Sequence, residues 1–277
     1  MATLLLGRPI ADTMLVDIRK KSAGKKLQLC VVQIGENNIS EKYIAEKQKA
    51  CEQVGIQFQL SKFPKTISRQ SVEKELIRFA NNPNVSGMIV QLPLPSHLNA
   101  QKLLDLIPFE KDVDVLSSRA FGSFALGTHP ILPPTVGAVS RLLAQVHANL
   151  KGKKVALVGA GRLVGLPLML WMLRQKADIA VATSTTKNLA QVTKQADVII
   201  SGVGKPNLIL GSMVKKGAIV IDAGTSVEAG QSAGDVDIKS VSKKAAHIAP
   251  VPGGVGPLTV ACLLENLVVL SEDRHNL

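Results

Sequence analysis

The chain has 277 residues, 46% of them hydrophobic, which is enough for a substantial core and suggests two domains. Its formal charge is +12, yet the basic residues are spread along the chain, and one Trp, one Tyr and six Phe leave little on which to stack bases, so nucleic acid is not the expected partner. Cys30, Cys51 and Cys262 stand far apart, with neither CxxC nor His-rich spacing; they read as reduced packing residues, and no metal is expected.

A small polyanionic ligand, such as a dinucleotide together with a carboxylate-bearing substrate, suits the positive field. No apolar run approaches the ~20 residues that cross a bilayer. The start, Met1-Ala2-Thr3-Leu4-Leu5-Leu6-Gly7-Arg8, lacks the basic-then-apolar order of a signal peptide. A cytoplasmic protein without a membrane partner is the expectation.

The first predicted strand is Leu27–Ile34, β-branched and apolar. The turn Gly35-Glu36-Asn37-Asn38 leads into a helix that carries Tyr43 and, four residues on, Lys47. That spacing puts phenol and ammonium on one helix face. A lysine shielded from water has its pKa drawn towards neutrality and can serve as a general base or acid, although a tyrosine packed beside a solvated lysine has the same pattern. A strand near Ile56–Ser61 and a helix near Ser71–Phe79 follow. The buried strand Gly87–Gln91 must stop at Leu92-Pro93-Leu94-Pro95, because proline cannot donate to a sheet ladder. Gln91 then lies at the C-terminal end of the strand, the edge where open α/β sheets bind ligands.

A helix around Ala100–Ile107 gives way to Pro108-Phe109-Glu110-Lys111-Asp112-Val113-Asp114, whose three carboxylates read by themselves as a solvated acidic turn. Residues 117–129 look irregular, and Thr135–Ala148 reads as an amphipathic helix joining two halves. The expected domains are 1–118 and 119–277.

The second half opens on a buried strand, Lys154–Val158, and the turn Gly159-Ala160-Gly161-Arg162-Leu163-Val164-Gly165, then a helical run containing Trp171. Glycines in such a turn let the backbone approach a pyrophosphate at the helix N-terminus, although GxGxxxG is one residue longer than the usual fingerprint. The next strand, Ile179–Ala182, ends in Thr183-Ser184-Thr185-Thr186-Lys187, with hydroxyls and a cation where NAD sites usually carry a carboxylate, which favours NADP with NAD still possible. Strands at Val198–Ser201 and Ala218–Ile221 continue the repeat, so the fold class is α/β with a Rossmann-like, doubly wound parallel sheet in the second domain. Pro250-Val251-Pro252-Gly253-Gly254-Val255-Gly256-Pro257-Leu258-Thr259 reads as irregular backbone able to approach a ligand closely, leading into an apolar helix, Val260–Leu270.

Together with Tyr43-x-x-x-Lys47 and Lys49-Ala50-Cys51, the segments Val90-Gln91-Leu92-Pro93-Leu94-Pro95, Lys111-Asp112-Val113-Asp114, Val164-Gly165-x-Pro167, Val203-Gly204-Lys205-Pro206, Gly234-Asp235-Val236 and Pro250 to Thr259 occur in the order that characterises one family. Over nearly its whole length the chain resembles the bifunctional methylenetetrahydrofolate dehydrogenase/cyclohydrolase family. The VQLPLP run and the stretch from Val251 to Thr259 carry most of that specificity.

The resemblance implies a two-domain homodimer that oxidises methylenetetrahydrofolate with NADP and hydrolyses the methenyl product to formyltetrahydrofolate. It implies Lys47 as cyclohydrolase general acid/base, Tyr43 as its positioner and a stacking partner for the folate, Gln91 as the group that tunes the lysine, and Asp114 as the holder of the pterin. Val90, Leu92, Pro93, Pro252, Gly253 and Thr259 would line the folate and nicotinamide cleft. Gly159, Ala160, Gly161, Arg162, Val164, Gly165, Thr183, Ser184, Thr185, Val203 and Gly204 would hold the cofactor. A C-terminal helix over about 258–277 would pack back on the folate-binding domain, 1–118. The chain departs from the family's pattern at Val115, where glycine is usual, over Leu116–Gly122, at Ala160-Gly161, and in lacking a basic residue near Ser184-Thr185.

Two enzymatic rivals share pieces of this pattern. Short-chain dehydrogenases use Tyr-x-x-x-Lys, but behind the glycine turn and not ahead of it. A shikimate-dehydrogenase-like enzyme leaves the PGGVGPLT run without a role. A folate- or nucleotide-binding relative without turnover has little use for a poised lysine.

Overall fold

The computed structural model of the chain describes residues 1–228 and 231–273. In chain order the elements are β1 Thr3–Leu4, α1 Gly7–Ser22, β2 Gln28–Ile34, α2 Asn38–Val54, β3 Gln57–Phe63, α3 Arg69–Asn81, β4 Gly87–Val90, α4 Ala100–Leu104, α5 Ser118–Leu126 and α6 Pro134–Gln145. They continue as β5 Lys154–Val158, α7 Gly165–Arg174, β6 Asp178–Ala182, α8 Leu189–Thr193, β7 Val198–Ser201, β8 Ile219–Asp222, β9 Ser226–Glu228, β10 Gln231–Ala233, α9 Ile238–Val241, β11 His247–Ala249 and α10 Val255–Asp273.

Two compact units form, one from Asp12–Pro134 with Val260–Leu277, the other from Met1–Ala11 with Thr135–Thr259. This division differs from a single cut at 118/119, and the reason is backbone pairing. β1 joins the second unit's sheet beside β11, with Thr3 N–H donating to Ala246 O (2.8 Å) and Leu5 N–H to Ile248 O (2.7 Å).

In the first unit β2 lies between β3 and β4, all parallel. Cys30, Val32 and Ile34 alternate onto one face of β2 and meet Val72, Leu76 and Phe79 of α3, three apolar residues at helical spacing. The stretch expected to be irregular contains α5. Ser117 caps it by accepting the Ala120 N–H (3.3 Å), and Gly127 ends it in the left-handed region, φ +79°, where glycine alone is unstrained.

The second unit has a six-stranded parallel sheet in the order β1-β11-β8-β7-β5-β6. From β5 the chain first moves to one side, to β6, and then to the other, to β7, so the β5/β7 boundary is the topological switch point of a doubly wound sheet.

Helix α10 begins at Val255, five residues earlier than its apolar run suggests, because Pro257 falls in the first turn, where its missing N–H breaks no helical bond. That corrects one expectation from sequence. With a mean hydropathy of 1.5 over an 18-residue window, α10 is by length and composition able to cross a membrane, but 67% of that window is buried in the fold, as in a core helix. The expected helical residues 274–277 lie outside the described residues. All three cysteines are buried, and no disulfide forms among the described residues.

Candidate active site

Helix α2 presents Tyr43 and Lys47 one turn apart. Tyr43 is half-buried; Lys47 is 8% exposed and its Nζ donates to Gln91 Oε1 at 2.8 Å. Gln91 continues β4 by one backbone bond, its N–H donating to Val32 O at 2.9 Å, and its Nε2 donates to Leu92 O at 3.0 Å. That second bond fixes which end of the amide faces the lysine. Burial lowers the pKa of Lys47, and the Asp114 charge opposes that shift without cancelling it. Cys51, one further turn along α2, offers no thiolate, because burial pushes its thiol up to about 12.

Of the three carboxylates in the acidic turn only Glu110 is exposed; Asp112 is buried and Asp114 half-buried. Each residue of Lys111-Asp112-Val113-Asp114 has a separate job. Lys111 is buried and its Nζ donates to the carbonyls of Ala80 (2.7 Å) and Asn82 (2.8 Å), tying down the C-terminal end of α3. Asp112 is fully buried and accepts the N–H groups of Leu116 (3.0 Å) and Ser117 (2.7 Å). Val113 fills a notch left by Gly87, where a Cβ would lie 2.7 Å from Val113 Cγ1. Asp114 is thereby held near Lys47, and burial raises its pKa to about 6, with Lys47 pulling it down and Asp112 pushing it up. Both members of the pair are driven towards their neutral forms. Val115, where the family usually has glycine, sits at φ +57°, a left-handed backbone that is costly for a β-branched residue.

Three residues of this assembly escape a reading of sequence. Asn266, buried on α10, donates its Nδ2 to Val113 O and Leu132 O, both at 2.9 Å, and so grips the Asp114 loop at Val113 from 153 residues away in sequence. Its only signal is an amide in an apolar helix. Ser40 donates to Leu92 O at 3.3 Å, and Asp112 looked like surface charge. Among the expected substrate residues, Leu92 is half-buried and Pro93 exposed, whereas Val90 as a whole residue is 1% exposed, its side chain in the core and its backbone paired with Val32 in the sheet, so it does not itself present a surface to a ligand.

In the other unit the glycine turn lies at the end of β5. Gly159 has φ +96°, and a Cβ on Gly165 would fall 1.9 Å from Gly159 O, so the start of α7 packs backbone to backbone on the turn. Ala160, Gly161 and Arg162 face outward, and nothing stands within 4 Å of a Cβ built on Gly161. Across the switch point, Val203 is exposed and Gly204 half-buried in the loop after β7. After β6, Thr183, Ser184 and Thr185 form an exposed turn in which the Thr183 and Thr185 hydroxyls bond at 2.9 Å and Thr183 N–H donates to Thr186 Oγ1 at 2.9 Å. No carboxylate stands in it. An open backbone cradle with a hydroxyl turn at the end of the neighbouring strand fits a dinucleotide bearing an extra phosphate.

Pro252 is exposed, and Gly253 O accepts the N–H of Gly7 at 2.8 Å. Thr259 Oγ1 donates to Gly256 O at 2.7 Å within the first turn of α10. Among the described residues no group of His, Cys, Asp and Glu could hold a metal ion.

Two family models match this chain. Residues 5–114 match the catalytic domain of tetrahydrofolate dehydrogenase/cyclohydrolase, and residues 133–275 match the NAD(P)-binding domain of the same. The chain belongs to the tetrahydrofolate dehydrogenase/cyclohydrolase family. The bifunctional protein FolD of a Nitratiruptor species is 39% identical over 98% of both chains. The crystal structure of the bifunctional FolD enzyme from Campylobacter jejuni superposes with a TM-score of 0.94 at 37% identity, covering 99% of this chain and 100% of that one. The Trypanosoma brucei enzyme, complexed with NADP and an inhibitor, gives 0.95 at 30% identity, covering 100% of this chain and 99% of that one. In this family member the two matched domains correspond to the Lys47 site and the glycine-turn unit.

Proposed function

We propose that Lys47 is the proton-transfer group of a bifunctional enzyme that oxidises methylenetetrahydrofolate with NADP and hydrolyses the resulting methenyl cation to formyltetrahydrofolate. The observation that carries the reading is a buried lysine held at 2.8 Å by a neutral amide, its pKa lowered by desolvation, in a chain matched over both halves by one family. The matches favour this reading over a relative without turnover and over a shikimate-dehydrogenase-like enzyme.

The two reactions ask different things of the residues. Oxidation needs alignment, because the folate's own nitrogen lone pair expels the hydride, and a bound NADP would supply the acceptor for it. Hydrolysis needs proton transfer: the neutral amine of Lys47 takes a proton as water adds to the methenyl carbon, and the ammonium returns it to the nitrogen that leaves when the ring opens. Gln91 accepts from Lys47 without a charge that would trap it as ammonium. Asp114 accepts from the amide and amino edge of the pterin, and Tyr43 stacks on the folate. Gly159, Gly161 and Gly165 let the backbone approach the pyrophosphate, Thr183 to Thr185 serve the 2′-phosphate, and Val203 with Gly204 closes on the cofactor.

The folate work is assigned to the unit of Asp12–Pro134 with Val260–Leu277, the cofactor work to the other. The reading includes a cytoplasmic homodimer acting on soluble folates, with no nucleic acid or membrane. Appearance of NADPH with methylenetetrahydrofolate, and loss of methenyl absorbance above the spontaneous rate, test it. The absence of either sinks that half of the reading.

A further inference from the structure

The loop after β7 is held from within by one carboxylate. Asp235 is fully buried; its Oδ2 accepts Ser201 Oγ at 2.6 Å and Val203 N–H at 2.7 Å, and its Oδ1 accepts Lys205 N–H at 2.7 Å. Asp222, fully buried at the end of β8, accepts the backbone N–H groups of Asp235 (3.1 Å), Val236 (2.9 Å) and Gly224 (3.0 Å). The surrounding chain is cut to fit these two acids. A Cβ on Gly224 would stand 2.2 Å from Asp235 Oδ1, and one on Gly234 would stand 2.1 Å from Asp222 Oδ2.

Burying two carboxylates side by side is costly, and here the cost is offset by N–H and O–H donors, half of them drawn from the stretch Ser201 to Lys205. With its amides turned inward, that loop presents the Val203 side chain, 47% exposed, at the switch point opposite Gly159. A Cβ on Gly159 would meet Val203 Cγ2 at 3.2 Å, so the shape of this loop sets the width of the gap between the two strand ends.

We propose that Asp235 is a positioning residue for the dinucleotide: without touching it, Asp235 holds the Val203–Lys205 loop in the shape that binds the cofactor, and so governs cofactor affinity and not turnover once the cofactor is bound. The inference rests on the reading that Val203 and Gly204 meet the NADP.

Asp235→Asn keeps the side-chain shape but turns an amide NH2 towards the loop's own donors. The Kd for NADP, measured by fluorescence titration on a variant shown by circular dichroism to be folded, should rise about tenfold or more, with KM following and kcat at saturating NADP within about threefold of wild type. Ser201→Ala removes one donor and should weaken NADP by about threefold. Val203→Asp puts a negative charge on the loop itself and tests the underlying reading: weaker NADP binding upholds it, whereas wild-type binding removes it and the inference with it. If Val203→Asp weakens binding but folded Asp235→Asn binds NADP like wild type, the inference alone is overturned. A kcat at saturation that falls as far as the affinity also overturns it. Should Asp235→Asn fail to fold, an unchanged Kd in Ser201→Ala decides against the proposal.

Discussion

The Nζ of Lys47 lies 2.8 Å from Oε1 of Gln91, and Gln91 is turned to that task by a bond from its own Nε2 to Leu92 O. A buried ammonium ordinarily finds a carboxylate. Here it finds an amide, so the desolvation that lowers its pKa is not undone. Lys47→Met keeps the length and removes the amine. Cyclohydrolase activity should fall by ~10²–10⁴-fold, as for loss of a general acid/base, while dehydrogenase activity falls less. Near-normal methenyl hydrolysis in the variant, measured against the spontaneous rate in the same buffer, would falsify the assignment.

Asp114 should give the enzyme an acid limb. Its pKa is raised to about 6, so as pH falls through about 6 protonation removes the charge of the acceptor proposed for the pterin, and kcat/KM for methylenetetrahydrofolate should fall with it. The sign for stability is opposite. A folded-state pKa above the unfolded value means that the stabilisation is complete below the ordinary carboxylate range and is lost as pH rises through about 6. Asp114→Asn should therefore gain in melting temperature relative to wild type between about pH 4 and about pH 7, while losing the acid limb of dehydrogenase activity. A difference in melting temperature that stays flat over that interval would contradict the assignment of the titration to Asp114.

Val113 and Val115 are both fully buried, but only Val115 has a left-handed backbone, φ +57°. Deleting a buried valine side chain costs ~2–3 kcal/mol, whereas relief of the strained backbone returns ~1–2 kcal/mol. Val115→Gly should accordingly cost ~1 kcal/mol and Val113→Gly ~3 kcal/mol or more in urea unfolding. Equal losses in the two variants would mean that Val115 carries no strain.

Gln33, at 3% exposure on β2, has no hydrogen-bond partner for either amide atom among the described residues. A buried amide in that state costs ~1–3 kcal/mol, and an apolar residue of like volume avoids it. Gln33→Leu should raise the melting temperature by a few degrees without changing either activity. A lowered melting temperature would show that the amide is satisfied in solution.

The turn after β6 should decide between the cofactors. Ser184→Asp introduces a carboxylate among exposed hydroxyls, so KM for NADP should rise by ~10-fold or more, with KM for NAD unchanged or lower. Steady-state kinetics with both cofactors check this. An unaltered NADP preference would place the 2′-phosphate elsewhere.

What the sequence determined by itself was local and periodic. Alternation in Cys30, Val32 and Ile34, helical spacing between Tyr43 and Lys47, proline stops after Gln91 and glycines after β5 are each legible within a few residues, because backbone geometry imposes those periods and breaks. Even so, α5 escaped that reading, although its cap Ser117 and its terminal Gly127 stand in plain sight, since a nine-residue helix carries a weak periodic signal. Only the tertiary structure decided which polar residues are buried. Asp112 reads in sequence as part of a solvated turn, Asp235 only as one residue of a family motif and Asn266 as an amide in an apolar helix, yet each holds a loop that bears a proposed site residue. The first strand likewise joins the sheet of a unit whose next segment in sequence starts at Thr135. Those facts depend on contacts between residues distant in sequence, and the physical demand behind them, that every buried donor and acceptor be paired, has no period to read.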